Sequence, residues 1–109
     1  AYLAVRRRLM EGARFTALFA ISDNMAIGAM RALRDAGQQI PRDCSVIAID
    51  GLTMSEYINP TLTTLCQPME HMGRRSVEIL LDMVEHRGGP IRETAHTTLR
   101  TGESVRDIS

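Results

Sequence analysis

The chain carries no surplus of either charge: 13 Lys and Arg stand against 13 Asp and Glu in 109 residues. Phosphate binding needs a basic excess on one face, so the chain taken whole is not built as a nucleic-acid binder. Long apolar runs are also missing. The longest, such as Ala17–Ile21 and Val46–Ile49, fall far short of a membrane span. No secretory leader is visible, and with only 2 Cys the expectation is reduced thiols in a cytoplasmic protein. Metal-ligand spacings such as CxxC or HExxH do not occur around Cys44, Cys66, His71, His86 and His96. Neither GxGxxG nor GxxxxGK[ST] is present, which leaves no phosphate cradle. Cys66 and His71 lie five residues apart with nothing to activate the thiol, so Cys66 reads as inert. The expectation is therefore a protein that is not an enzyme and has neither cofactor nor metal. The length suits one domain, and the composition is neither disordered nor disulfide-rich.

What is present is alternation of strand and helix patterns. Ala1 to Glu11 reads as a helix stopped by Gly12, with Arg6, Arg7 and Arg8 on a solvated face. Residues 16–21 form an almost unbroken apolar stretch, the pattern of a strand covered on both faces in a parallel sheet. Ser22-Asp23-Asn24 offers three capping side chains, and Ala26, Met30 and Leu33 then repeat at helical spacing up to Gly37. A second strand, residues 45–49, ends at Asp50-Gly51, which makes a βαβ crossover and implies a parallel sheet. Thr53 to Pro60 shows no period and reads as a loop. A third strand covers 62–66, a helix follows Pro68 and ends at Gly88-Gly89-Pro90, a fourth strand covers 94–100, and Thr101 to Ser109 is a polar tail.

Ligands of open parallel sheets bind at the carboxyl ends of the strands. Those ends here are Ser22-Asp23, Asp50-Gly51 and Cys66-Gln67. Asp50 is the sharpest candidate, because four apolar residues precede it and its carboxylate suits hydroxyls or amines. The alternative for Asp50 is a turn cap, and for Ser22 and Asp23 a helix cap. Gln67 offers a polar contact beside Met69, which at this spacing also suits a core position.

Together these segments resemble the C-terminal part of the effector-binding domain of LacI/GalR-family transcriptional regulators. The likeness runs from about residue 13 to 100. It rests on Thr16-Ala17-Leu18-Phe19-Ala20-Ile21-Ser22-Asp23-Asn24-Met25-Ala26-Ile27-Gly28, on the Pro41-Arg42-Asp43-Cys44-Ser45 block that leads to Asp50, and on Asn59-Pro60-Thr61-Leu62-Thr63-Thr64 followed by Gln67-Pro68 and Gly73. The resemblance implies a periplasmic-binding-protein-like α/β fold of two lobes with a small effector between them. It also implies a DNA-binding headpiece and an N-terminal lobe that this sequence does not contain, so residues 1–109 are expected to be one incomplete lobe. The implied effector contacts are Ser22, Asp50, Gln67 and Met69, to which the strand-end position adds Asp23. The implied dimer face holds Met25, Ile27, Met30, Tyr57 and Ile58. The partners follow: a small-molecule effector (a sugar, nucleoside or related metabolite), a second copy, and operator DNA only through the absent headpiece. No membrane partner is implied.

The sequence departs from the family pattern at three places. Ser22 stands where an Asn is frequent, and Gly51 where an Asp or Asn is frequent. The usual Arg-x-Ser near the end reads Arg100-Thr101-Gly102-Glu103-Ser104, so a different final turn is expected. The competing expectation is the lobe of a periplasmic sugar-binding transport protein on the same fold.

Overall fold

The computed structural model describes residues 1–89 and 91–109. Pro90, expected to help end the long helix, lies outside the described residues. The elements run α1 (Tyr2–Met10), β1 (Ala17–Phe19), α2 (Asp23–Asp35), β2 (Ser45–Asp50), a 3-10 turn η1 (Thr53–Glu56), β3 (Thr63–Cys66), α3 (Met69–Val84) and β4 (Thr98–Arg100). The four strands form one sheet in the order β1-β2-β3-β4. Both described pairings are parallel, Ala17 to Phe19 against Ser45 to Ile47 and Ile47 to Asp50 against Thr63 to Cys66. The expected α/β class with a parallel sheet is what the chain forms. By packing, the chain divides into two compact units: Ala1–Cys66 with Leu99–Ser109, and Gln67–Thr98.

In the first unit, α2 forms because its start, face and end are all specified locally. Ser22 is extended at the N-cap and its Oγ accepts from Met25 N at 3.1 Å. Ala26, Ala29, Met30, Ala32 and Leu33 line the buried face. The helix closes with Schellman bonds at Gly37, Gly37 N to Arg34 O and Gln38 N to Leu33 O. That face packs on Val46 and Ala48, the inward residues of β2, together with Ala20, Cys44 and Leu62. Leu33 and Leu62 are essentially fully buried, each worth about 1.5–3 kcal/mol of transfer free energy. Burial pushes the Cys44 thiol above its ordinary range.

Several expectations change. β1 is not covered on both faces. It is the outermost strand with β2 as its sheet neighbour, and Phe19 is 58% exposed. Thr53–Glu56 is an ordered 3-10 turn rather than an irregular loop. The polar tail is ordered at its start. Glu103 N donates to Thr61 O and Val46 N to Ser104 O, while the buried Ser104 hydroxyl accepts from Thr63 N at 2.8 Å and donates to Val46 O at 2.5 Å. One hydroxyl thereby ties the starts of β2 and β3 together. Gly102 is required for that approach, since a Cβ there would lie 2.5 Å from Thr61 O. Ser104 thus takes a stapling place two residues beyond the position an Arg-x-Ser pattern points to.

The second unit is built on α3. None of its side chains is buried, and Met69, Leu80, Leu81 and Val84 are all more than half exposed. Its polar contacts centre on Arg75, which donates to Glu93 at 2.8 and 2.9 Å and to Glu78 at 3.1 Å. These bonds raise the Arg75 guanidinium well above its ordinary range and hold the Glu93 carboxyl below its own.

Candidate functional site

Parallel register brings the strand ends of the first unit to one edge. Asp50 and Cys66 are register partners at the tips of β2 and β3, and the end of β1 leads into Ser22 and the start of α2. Asp50 is half-buried, and its Oδ2 accepts from Asp23 N at 3.2 Å. The carboxylate therefore sits at the positive end of the α2 dipole, where a negative group is favoured. Its backbone has φ 148°, a region that side chains rarely occupy and that costs about 1–3 kcal/mol. Such strain persists only where the surroundings over-determine it. Gly51 follows at φ 82°, and a Cβ on it would meet Cys66 Sγ at 2.5 Å and Cys66 Cα at 2.7 Å. On this backbone only glycine fits without a shift of Cys66.

Asp23 lies beneath this edge at 0% exposure. Oδ1 accepts from Thr64 Oγ1 at 2.5 Å, and Oδ2 accepts from Leu52 N at 2.8 Å and Ser55 Oγ at 2.9 Å. A buried carboxylate is tolerable only with such a complement of donors. Fully buried and with both oxygens engaged inside the protein, Asp23 has a supporting place beneath the edge. Ser55 is held in turn by Arg100. The guanidinium donates to Ser55 Oγ, to Leu52 O at 2.9 Å and to Glu56 Oε1 at 2.6 Å. Sequence reasoning missed Ser55, Thr64 and Arg100. Thr64 and Arg100 lay within the family-like segments and Ser55 in a stretch without period, and none of them was given a place in the site.

Ser22 is half-buried beside Asp23, with its hydroxyl engaged as the α2 cap. Gln67 and Met69 belong to the second unit, where Gln67 O accepts from Met69 N at 2.9 Å and Met69 is 52% exposed. Of the expected dimer residues, Met25 and Tyr57 are exposed, whereas Ile27 and Ile58 are half-buried. Met30 is a correction. At 3% exposure it is a core residue, because it falls on the α2 stripe that faces β2. Among the described residues no group of three or more His, Cys, Asp or Glu could hold a metal ion, and no helix is long and apolar enough to cross a membrane.

A family model described as a periplasmic binding protein-like domain matches residues 1–105. The chain belongs to that family. Its similarity is to LacI-type regulators. It is 40% identical over 107 residues to the HTH-type transcriptional regulator MalR of Clostridium butyricum, a match that covers 98% of this chain and 31% of the relative. It superposes on the transcriptional regulator CelR, solved as a cellobiose complex, with a TM-score of 0.87 at 35% identity over 94% of this chain and 32% of that one. It also superposes on the lac repressor dimer bound to operator and the anti-inducer ONPF, with a TM-score of 0.88 at 29% identity over 95% of this chain and 36% of that one. The chain spans about a third of the length of the curated relatives it matches.

Proposed function

We propose that this chain is the effector-sensing and dimerisation portion of a bacterial LacI-type transcriptional regulator, a cytoplasmic repressor that answers to a sugar or nucleoside. Asp50 carries the reading. A carboxylate held at a strand tip, at the start of a helix and on strained backbone is oriented to accept from ligand hydroxyls. Ser22 adds a second polar group beside it, and Asp23 acts from beneath. Gln67 and Met69 enter as effector contacts on the sequence resemblance. Met25, Ile27, Tyr57 and Ile58 supply the dimer face, and operator DNA is bound through a headpiece outside this sequence. The role is one of binding rather than catalysis. Regulators, not transport proteins, are what the chain resembles, which supports this reading over a solute-binding protein. Operator release then follows from differential effector affinity for two arrangements of the whole protein that differ in operator affinity.

Calorimetric titration of the full-length protein with cellobiose, maltose, lactose, ribose and a purine nucleoside tests it. One of these should bind saturably. Asp50→Ala should weaken that binding about 100-fold, since two charge-assisted hydrogen bonds are worth about 3 kcal/mol together. Unchanged affinity in Asp50→Ala, or no binding across the series, refutes the proposal.

A further inference from the structure

The 3-10 turn η1 has two unlike sides. Its outer side exposes Met54 at 62% and is followed by Tyr57 at 81%. Its inner side has Ser55 as its one buried residue, at 0%. Directional polar bonds to two side chains, the Asp23 carboxylate and the Arg100 guanidinium, hold that inner side. Asp23 also donates its backbone N–H to Asp50 Oδ2. One residue thus joins the strand-tip carboxylate to the turn that carries Met54 and Tyr57.

We propose that Asp23 and Arg100 are positioning residues that couple the Asp50 strand tip to the Met54–Tyr57 face, so that a ligand on Asp50 changes how that face is presented to a second copy of the chain. The proposal rests on the reading of Asp50 as an effector contact and of Tyr57 as part of a dimer face. A ligand hydroxyl that bonds to Asp50 Oδ2 competes with the Asp23 N–H. Any shift of Asp23 is passed to Leu52 N and Ser55 Oγ, because hydrogen bonds weaken steeply with misalignment where apolar packing would slide. Arg100 keeps the turn from following passively. It grips Leu52 O, Ser55 Oγ and Glu56 at once, from a strand on the far side of β3 in the sheet. Coupling of this kind is reciprocal by thermodynamic necessity. In a linked set of this kind, loosening the Arg100 grip loosens the Asp23–Asp50 bond with no ligand present.

Residue-resolved amide exchange on the ligand-free protein reads this directly. In Arg100→Gln, the Asp23, Leu52 and Tyr57 amides should exchange at least tenfold faster relative to the Leu33 and Val46 amides, which report global opening. Arg100→Lys, which keeps the charge, should recover part of the protection. Ser55→Ala removes the hydroxyl between the two anchors and should give the same selective pattern, so it decides the matter if Arg100→Gln does not fold. Ser104→Ala weakens the same sheet away from these bonds and should not single out Asp23. If the Asp23 amide keeps its wild-type protection relative to Leu33 in the folded variants, or loosening is equal everywhere, the proposal fails. Since no ligand is added, failure of the calorimetric test would remove the effector reading and leave this linkage standing.

Discussion

Replacing Asp23 tests the buried network as a whole. In Asp23→Ala, three donors lose their acceptor: Leu52 N, Ser55 Oγ and Thr64 Oγ1. The Ser55 hydroxyl has a second acceptor in Leu52 O at 2.6 Å and re-pairs there. Leu52 N and the fully buried Thr64 hydroxyl are left without one. Two stranded buried donors cost about 2–6 kcal/mol in all. A further few tenths to 1 kcal/mol or so goes with an acidic residue lost from the first turn of α2. Against a total stability of about 5–15 kcal/mol, that is a large fraction of what holds the fold. Asp23→Asn should cost less, about 1–2 kcal/mol. Its oxygen can face Leu52 N and Ser55 while its amide donates to Thr64 Oγ1, so one hydroxyl alone is displaced. Thr64→Val should be nearly free in the Asp23→Ala background and costly in the wild type, a coupling of about 1 kcal/mol or more. Urea unfolding of the wild type, the three single variants and the Asp23→Ala/Thr64→Val double variant, followed by circular dichroism, measures all of this. If Asp23→Ala unfolds within 1 kcal/mol of wild type, or Asn is as damaging as Ala, the carboxylate is not the acceptor that holds these elements.

Four further substitutions have expected outcomes. Gly51→Ala should destabilise by about 2 kcal/mol or more, since its Cβ meets Cys66 backbone as well as Sγ at positive φ. Gly73→Ala, in open space on α3, should raise helicity and stability by up to about 1 kcal/mol, and equal effects of the two changes in thermal melts would contradict the geometry. Ser104→Ala leaves Thr63 N without an acceptor and Val46 O without a donor, so it should cost about 1–3 kcal/mol in urea unfolding; a neutral result would mean the tail is not docked. The Asp43 carboxyl is held below its usual 3.8 by the Gln39 backbone N–H and by Arg42. Its folded value lies below its unfolded one, so its contribution is present above about pH 4 and is lost as pH falls through the folded value. Asp43→Asn should flatten the acid limb of the melting temperature against pH, and an unchanged slope would remove Asp43 from it.

Much of the framework was legible because it is set by neighbours a few residues apart. The Ser22 cap, the Ala26-Met30-Leu33 stripe and the stop at Gly37 all act within one or two turns, and α2 forms over Asp23–Asp35 as they dictate. The apolar strand segments named the sheet, and Asp50 was singled out correctly as a strand-tip residue. Met30 was misassigned because helical period does not say which neighbours lie on each side of a stripe. Met30 and Met25 are both apolar and five residues apart, and only the packing on β2 separates a core residue from an exposed one.

By itself, then, the sequence determined class, order and family: local propensity and capping specify each element, and the motifs at Ser22-Asp23 and Asp50 mark the strand ends. The tertiary structure alone decided what surrounds those ends. Asp23 meets Ser55, 32 residues away, and Thr64, 41 residues away, and Arg100 meets Ser55 across 45. No periodicity encodes contacts at such separations. They exist because parallel pairing of β2 with β3 brings distant strand ends to one edge, and because a buried carboxylate cannot remain there without the donors that edge supplies.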